Sequence, residues 1–142
     1  MRRYFDTSVM ISLHLRDVHF AAAAALMQSA GGIVWTPWQK VEFGNAIRAL
    51  VARGLLTLAD VRTVENNIRA SLSAGDMVPR PLPAYTLWQE AEQLSRAHTP
   101  AIGVRTLDLL HVAAARAVHA THFYTFDQRQ HTLARAAGLA VN

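Results

Sequence analysis

Short apolar runs of strand length alternate with longer stretches of helical periodicity along this chain. "RRYFDTS" reads as a short strand ending at Asp6, with Asp6, Thr7 or Ser8 able to cap the helix that follows, "SVMISLHLRD". An alanine-rich helix, "DVHFAAAAALMQSA", stops at Gly31-Gly32. "GIVWTP" is a second strand, and Pro37 then opens the helix "PWQKVEFGNAIRALVARG" in its first turn. "TLADVRTVENNIRASLSAG" carries a threonine cap and a glycine stop. "DMVPRPLP" is apolar but broken by prolines, so an edge strand or extended connection is expected. The helix "PAYTLWQEAEQLSRAH" and a loop "TPAIGVRT" come next. They precede the helix "TLDLLHVAAARAVHA" with Thr106 as its cap, the strand "THFYTFD", the helix "DQRQHTLARAAG" and a terminal strand "LAVN".

This alternation predicts one α/β domain over residues 1–142, with a central parallel sheet of four to five short strands flanked by helices. There are no repeats and no low-complexity tract. In such a sheet, ligands bind beyond the carboxyl ends of the strands. Asp6 and Asp127 both sit at or just past a strand's end, so both should face the same edge.

Composition narrows the chemistry. The 142 residues are 51% hydrophobic and 17% charged, as in a folded domain. The absence of cysteine excludes disulfides, cysteine-ligated zinc, iron–sulfur clusters and a thiol nucleophile, and suits a reducing cytoplasm. Asp6 interrupts any apolar run after the basic Met1-Arg2-Arg3, and no stretch approaches about 18 uninterrupted apolar residues, so no signal peptide or membrane span is expected. The net charge is +4, and Lys40 is the only lysine among fourteen basic residues. Arginine forks suit phosphate; genomic base composition explains the bias equally well.

Six of the ten acidic residues (Asp17, Asp60, Glu65, Asp76, Glu90, Glu92) lie in polar or turn-like contexts and read as solvated. The other four have local explanations when taken singly. Asp127 reads as an N-cap with Gln130 closing a capping box. Asp108 lies in a helix's first turn, where the macrodipole favours an acid by about 0.3–1 kcal/mol. Glu42 borders the apolar face formed by Trp38, Phe43, Ile47 and Leu50 and reads as solvated. Asp6 has the weakest such explanation. Together, Asp6, Glu42, Asp108 and Asp127 put four carboxylates within reach of one edge. Their mutual repulsion is resolved by a divalent cation, and hard oxygen donors without cysteine indicate Mg²⁺ or Mn²⁺. Such a site suits phosphodiester hydrolysis. No pair of the seven histidines has zinc-hydrolase spacing. His111, three residues after Asp108, reads as a packing residue.

Four segments in order, "YFDTSVMI", "VEFGNAI", "RTLDLLHVAAA" and "FYTFDQRQ", resemble a PIN domain, most closely a small VapC-type toxin ribonuclease. No single segment is specific; the ordered set is. The resemblance implies that Asp6, Glu42, Asp108 and Asp127 bind one or two Mg²⁺ or Mn²⁺ ions and hydrolyse RNA, transfer RNA being a common family target. It implies supporting roles for Thr7, Ser8, Asn45 (near Glu42), Arg105 (toward Asp108 or phosphate) and Thr125. It also implies a homodimer, a cognate VapB-type antitoxin and a cytoplasmic location. Competing readings are a catalytically silent PIN-like RNA- or protein-binding module, and a PIN ribonuclease of RNA processing with no toxin role. A receiver domain is disfavoured because no lysine follows a late strand, and a haloacid-dehalogenase-like phosphatase because "FDTS" lacks a second aspartate.

Overall fold

The computed structural model describes residues 1–28 and 31–142. Ser29 and Ala30, which the sequence assigns to the end of the second helix, lie outside the described residues. Among those described, the order is β1 (Arg3–Phe5), α1 (Thr7–Leu15), α2 (Phe20–Met27), β2 (Ile33–Trp35), α3 (Pro37–Ala52), α4 (Leu58–Ala74) and β3 (Met77–Pro79). It continues with α5 (Ala84–Ile102), α6 (Thr106–Ala117), β4 (His122–Tyr124), α7 (Gln128–Ala136) and β5 (Ala140–Val141). The five strands form one sheet in the order β3-β2-β1-β4-β5, and every pairing is parallel. The α/β reading with a central parallel sheet therefore holds, and "DMVPRPLP" contributes the edge strand β3.

Side chains of the central strands alternate between two cores, as the period-2 geometry of a strand requires. Tyr4, Val34 and Phe123 join the core under α5, α6 and α7. Phe5, Ile33, Trp35 and Tyr124 join the core under α1, α3 and α4. Met10, Val61 and Val64 are buried in the second core.

Three local devices set the edge where the strands end. Thr36 and Gln39 form a reciprocal capping box at the start of α3, with Pro37 in its first turn. The Gln39 amide also donates to the Phe5 carbonyl at 2.8 Å, which ties α3 to the end of β1. Every residue of α6 from Asp108 to Ala115 is buried, and its alanines allow the neighbouring elements to approach closely.

Two boundaries differ from the sequence reading. The segment "TPAIGVRT" is not all loop: α5 runs through Pro100 to Ile102 and stops at Gly103, which is left-handed with φ 69°. Pro100 is exposed in the last turn, so the helix loses one backbone bond, to a carbonyl that water can reach. Ile102 and Val104 then pack on the first core. Thr106 is not the cap of α6; Arg105 holds that position with extended backbone and no capping side chain. The shift places Asp108 at the helix's third position.

The buried Gln39 makes a direct prediction. Gln39→Met keeps most of the volume but removes the side-chain half of the capping box and the tie to Phe5. It should lower unfolding free energy by about 1–3 kcal/mol, read by urea denaturation. A loss no larger than that of an exposed control such as Arg96→Ala would contradict the tie's role.

Candidate active site

Asp6 is the N-cap of α1 and is 1% exposed. Its Oδ1 accepts from the Val9 backbone at 3.0 Å and from the Ser8 hydroxyl at 2.6 Å. Its Oδ2 accepts from the Thr125 hydroxyl, just past β4, at 2.6 Å. The sequence left the cap open among three residues; the structure gives it to Asp6 and makes Ser8 and Thr125 donors to it. Burial raises the Asp6 carboxyl above its ordinary 3.8, against the opposing pull of the Ser8 and Thr125 hydroxyls and of His111.

A chain of hydrogen bonds leads on from Thr125. Its hydroxyl accepts the Asp127 backbone N–H at 2.9 Å. Asp127 caps α7 by accepting the Gln130 backbone N–H at 2.9 Å. The capping box expected there is half formed, because Thr125 has already taken the Asp127 N–H. The Gln130 side chain instead donates to Asp108 Oδ1 at 3.2 Å. Asp108 Oδ2 accepts from the Arg105 guanidinium at 3.2 Å, so Arg105 orients a carboxylate as anticipated. Asp108 is 8% exposed. Asp6, Asp127 and Asp108 thus join one network through neutral spacers.

Glu42 is held separately. Its Oε2 is bonded to the Thr7 hydroxyl and to His111 Nε2. His111 is buried, and its Nδ1 lies 3.0 Å from the Tyr4 hydroxyl. Burial pushes the Tyr4 phenol well above its ordinary value, so it stays protonated. A carboxylate only accepts, so Nε2 carries the proton facing Glu42. Burial alone would raise Glu42, but the hydrogen bond and charge of His111 and the Thr7 hydroxyl outweigh it and hold Glu42 below its ordinary 4.5. Taken singly, Glu42 reads from the sequence as solvated, although the four acids together include it, and His111 reads as packing. His111 does pack, against Tyr4 and Trp38, and it is also Glu42's partner. Its position one turn after Asp108 was the available signal. Asn45 is exposed and makes no side-chain hydrogen bond among the described residues, so the role beside Glu42 is not supported.

The remaining acids behave as anticipated in kind. Asp17, Asp60, Asp76 and Glu92 are exposed, while Glu65 and Glu90 are half-buried and pair with Arg48 and Arg116. Among the described residues, no three carboxylate or imidazole groups converge as ready metal ligands. Each of the four acids is engaged by a protein donor instead. A cavity of about 770 Å³ lies between α3 and α4, lined by none of these four acids, with Lys40, Arg48, Glu65, Arg69 and Arg80 among its lining residues. No single helix among the described residues is long and apolar enough to cross a membrane.

A family model for the PIN domain matches residues 3–137. No curated protein matches the chain by sequence. Three solved structures share the fold across nearly the whole chain. The crystal structure of VapBC2 from Rickettsia felis, bound to a DNA fragment from its promoter, matches with a TM-score of 0.67 at 14% identity, covering 100% of this chain and 98% of that one. VapC20 from Mycobacterium tuberculosis, described as a sarcin–ricin-loop-cleaving toxin, matches with 0.66 at 18% identity, covering 97% and 96%. FitAcB from Neisseria gonorrhoeae matches with 0.67 at 21% identity, covering 98% and 95%.

The two pKa directions give opposite pH slopes. Asp6 is raised on folding, so its ionisation costs stability: the cost is absent below 3.8 and grows as pH rises through the folded pKa. Glu42 is lowered, so its stabilisation is present above 4.5 and lost as pH falls through the folded pKa. Without divalent ions, wild type should lose stability relative to Asp6→Asn as pH rises above 3.8, and gain it relative to Glu42→Gln over the acid range. Denaturant titrations from pH 3 to 7 read both slopes; slopes of the same sign would show that one environment has been misassigned.

Proposed function

This chain belongs to the PIN-domain family, and on that premise we propose that it is a divalent-cation-dependent endoribonuclease acting as the toxin of a toxin–antitoxin pair. The observation that carries the reading is the single polar network joining Asp6, Asp127 and Asp108 where the parallel strands end, with Glu42 anchored one residue from Asp6 by Thr7. A nuclease needs negative charge concentrated there only if a cation and a phosphate are to be brought in.

The donor set fits a hard cation. All four candidate ligands are carboxylates, none is sulfur, and the buried Asp6 is a carboxyl whose charge an adjacent cation would stabilise. Asp6, Glu42, Asp108 and Asp127 would hold Mg²⁺ or Mn²⁺. When bound, such an ion lowers the pKa of water and offsets charge developing at phosphorus. The chain's own residues do the rest. Ser8 and Thr125 hold Asp6 with both oxygens oriented, and Gln130 and Arg105 hold Asp108. The Arg105 side chain is 69% exposed beside Asp108, placed to take a backbone phosphate while still steadying the carboxylate. Release of Glu42 from His111 and Thr7 would complete the acidic set.

The toxin assignment draws on the company the fold keeps: its structural neighbours include VapBC2, VapC20 and FitAcB. We place the protein in the cytoplasm with its RNA substrate, as a homodimer restrained by a VapB-type antitoxin whose tail would cover the acidic edge.

A paired cleavage and growth assay tests this. Wild type should cleave RNA with Mg²⁺ or Mn²⁺ and lose activity in EDTA, and its expression should arrest growth. Asp6→Asn and Asp108→Ala should each lower cleavage at least about 100-fold, in line with the loss of an essential catalytic group, and relieve the arrest. Cleavage that persists in EDTA, or in Asp6→Asn, would sink the mechanism. RNA binding with no cleavage under any condition would favour the silent-module reading.

A further inference from the structure

Gln130 does more than its place in a helix's first turn requires. Its backbone N–H donates to Asp127 and its side-chain Nε2 donates to Asp108. One residue therefore ties together two carboxylates carried by different elements. The amide has one orientation, because Asp108 accepts only: Nε2 must face it, leaving Oε1 on the other side. That Oε1 is buried and has no hydrogen-bond partner, in a residue 7% exposed. An unpaired buried acceptor costs about 1–3 kcal/mol. A methionine would fill the same space without that cost, and a leucine nearly so. Folding gives a reason for the amide nitrogen, which donates to the buried Asp108, but none for the oxygen.

The neighbourhood supplies one. The oxygen belongs to a residue bonded to two of the four acids, and the only partner such an acceptor needs is an O–H or N–H donor that arrives from outside. A hydrated divalent cation brings O–H donors to the carboxylates it approaches. We propose that Gln130 is a positioning residue of the acidic site: Nε2 fixes Asp108 relative to Asp127, and Oε1 accepts a hydrogen bond from the water shell of the incoming cation. This rests on the reading of the acidic edge as a divalent-cation site. It adds a neutral residue to that site, one that sequence reasoning had assigned to a capping box.

The test uses the full chain and Mn²⁺ as the probe, with affinity read by electron paramagnetic resonance and stability by denaturation in EDTA. Gln130→Met should unfold in EDTA close to wild type, because the lost bond to Asp108 is offset by removal of the unpaired oxygen. Its Mn²⁺ affinity should fall about tenfold or more, as found for residues that orient metal ligands. In an Asp108→Asn background the same substitution should have a much smaller effect on affinity, since its action passes through that carboxylate. Gln130→Leu serves if the methionine variant does not fold. Mn²⁺ affinity unchanged in Gln130→Met, or losses that add fully with Asp108→Asn, would overturn the proposal while leaving the cation site standing. A wild type that binds no Mn²⁺ would overturn both.

Discussion

A carboxylate with one percent of its surface in contact with solvent organises this molecule. Asp6 sits where the central strand β1 becomes helix α1, and three donors from two parts of the chain converge on it. Those bonds cap α1, join the end of β4 to the end of β1, and keep the charge in place. They do not cancel the cost of burial, because the carboxyl still titrates above its ordinary value. A fold selected only for stability could keep the cap and accept the same donors with a neutral asparagine there. Retaining the acid makes sense when something positive is to be bound beside it.

The rest of the acidic edge follows the same logic by different means. Like charges placed close together repel, and the fold answers by inserting neutral groups between them. Thr125 stands between Asp6 and Asp127, and Gln130 between Asp127 and Asp108. Glu42 is turned toward His111 and Thr7, and His111 is backed by the buried Tyr4 hydroxyl. The carboxylates are thus close in connectivity while each keeps a private set of donors. On the proposed reading, Glu42 would have to leave His111 and Thr7 to join the other three acids as a ligand. The same two cores that fix the sheet, meeting at Tyr4 and Phe5 on opposite faces of β1, hold the supporting elements in register.

Much of this was readable in the sequence, because the relevant signals are local. Asp6 and Asp127 announce themselves at strand ends, Asp108 as an acid in an otherwise apolar helix, and the alternation of short strands and helices fixes which edge they share. What could not be read depends on contacts between distant segments. Gln130 has the spacing of a capping-box residue, and only the prior claim of Thr125 on the Asp127 N–H frees its side chain for Asp108. His111 looks like core, and is, until Glu42 arrives from a helix 69 residues earlier. Pro100 reads as a helix breaker because the exposure of its turn is a tertiary property. Thr106 reads as a cap because the residue that takes that position, Arg105, carries no capping side chain. Asn45 is the opposite case: helical spacing put it one turn from Glu42, but it faces solvent.

Everything proposed for the acidic edge depends on a divalent cation binding there. Crystals of the protein equilibrated with Mn²⁺ and measured at the manganese absorption edge would locate the ion directly. An anomalous peak is expected at metal–oxygen bonding distance, about 2.1 Å, from carboxylates of Asp6 and Asp108 or Asp127, and should be absent from crystals of Asp6→Asn. A map with no peak among the four acids at saturating Mn²⁺, in crystals that cleave RNA when dissolved, would contradict it.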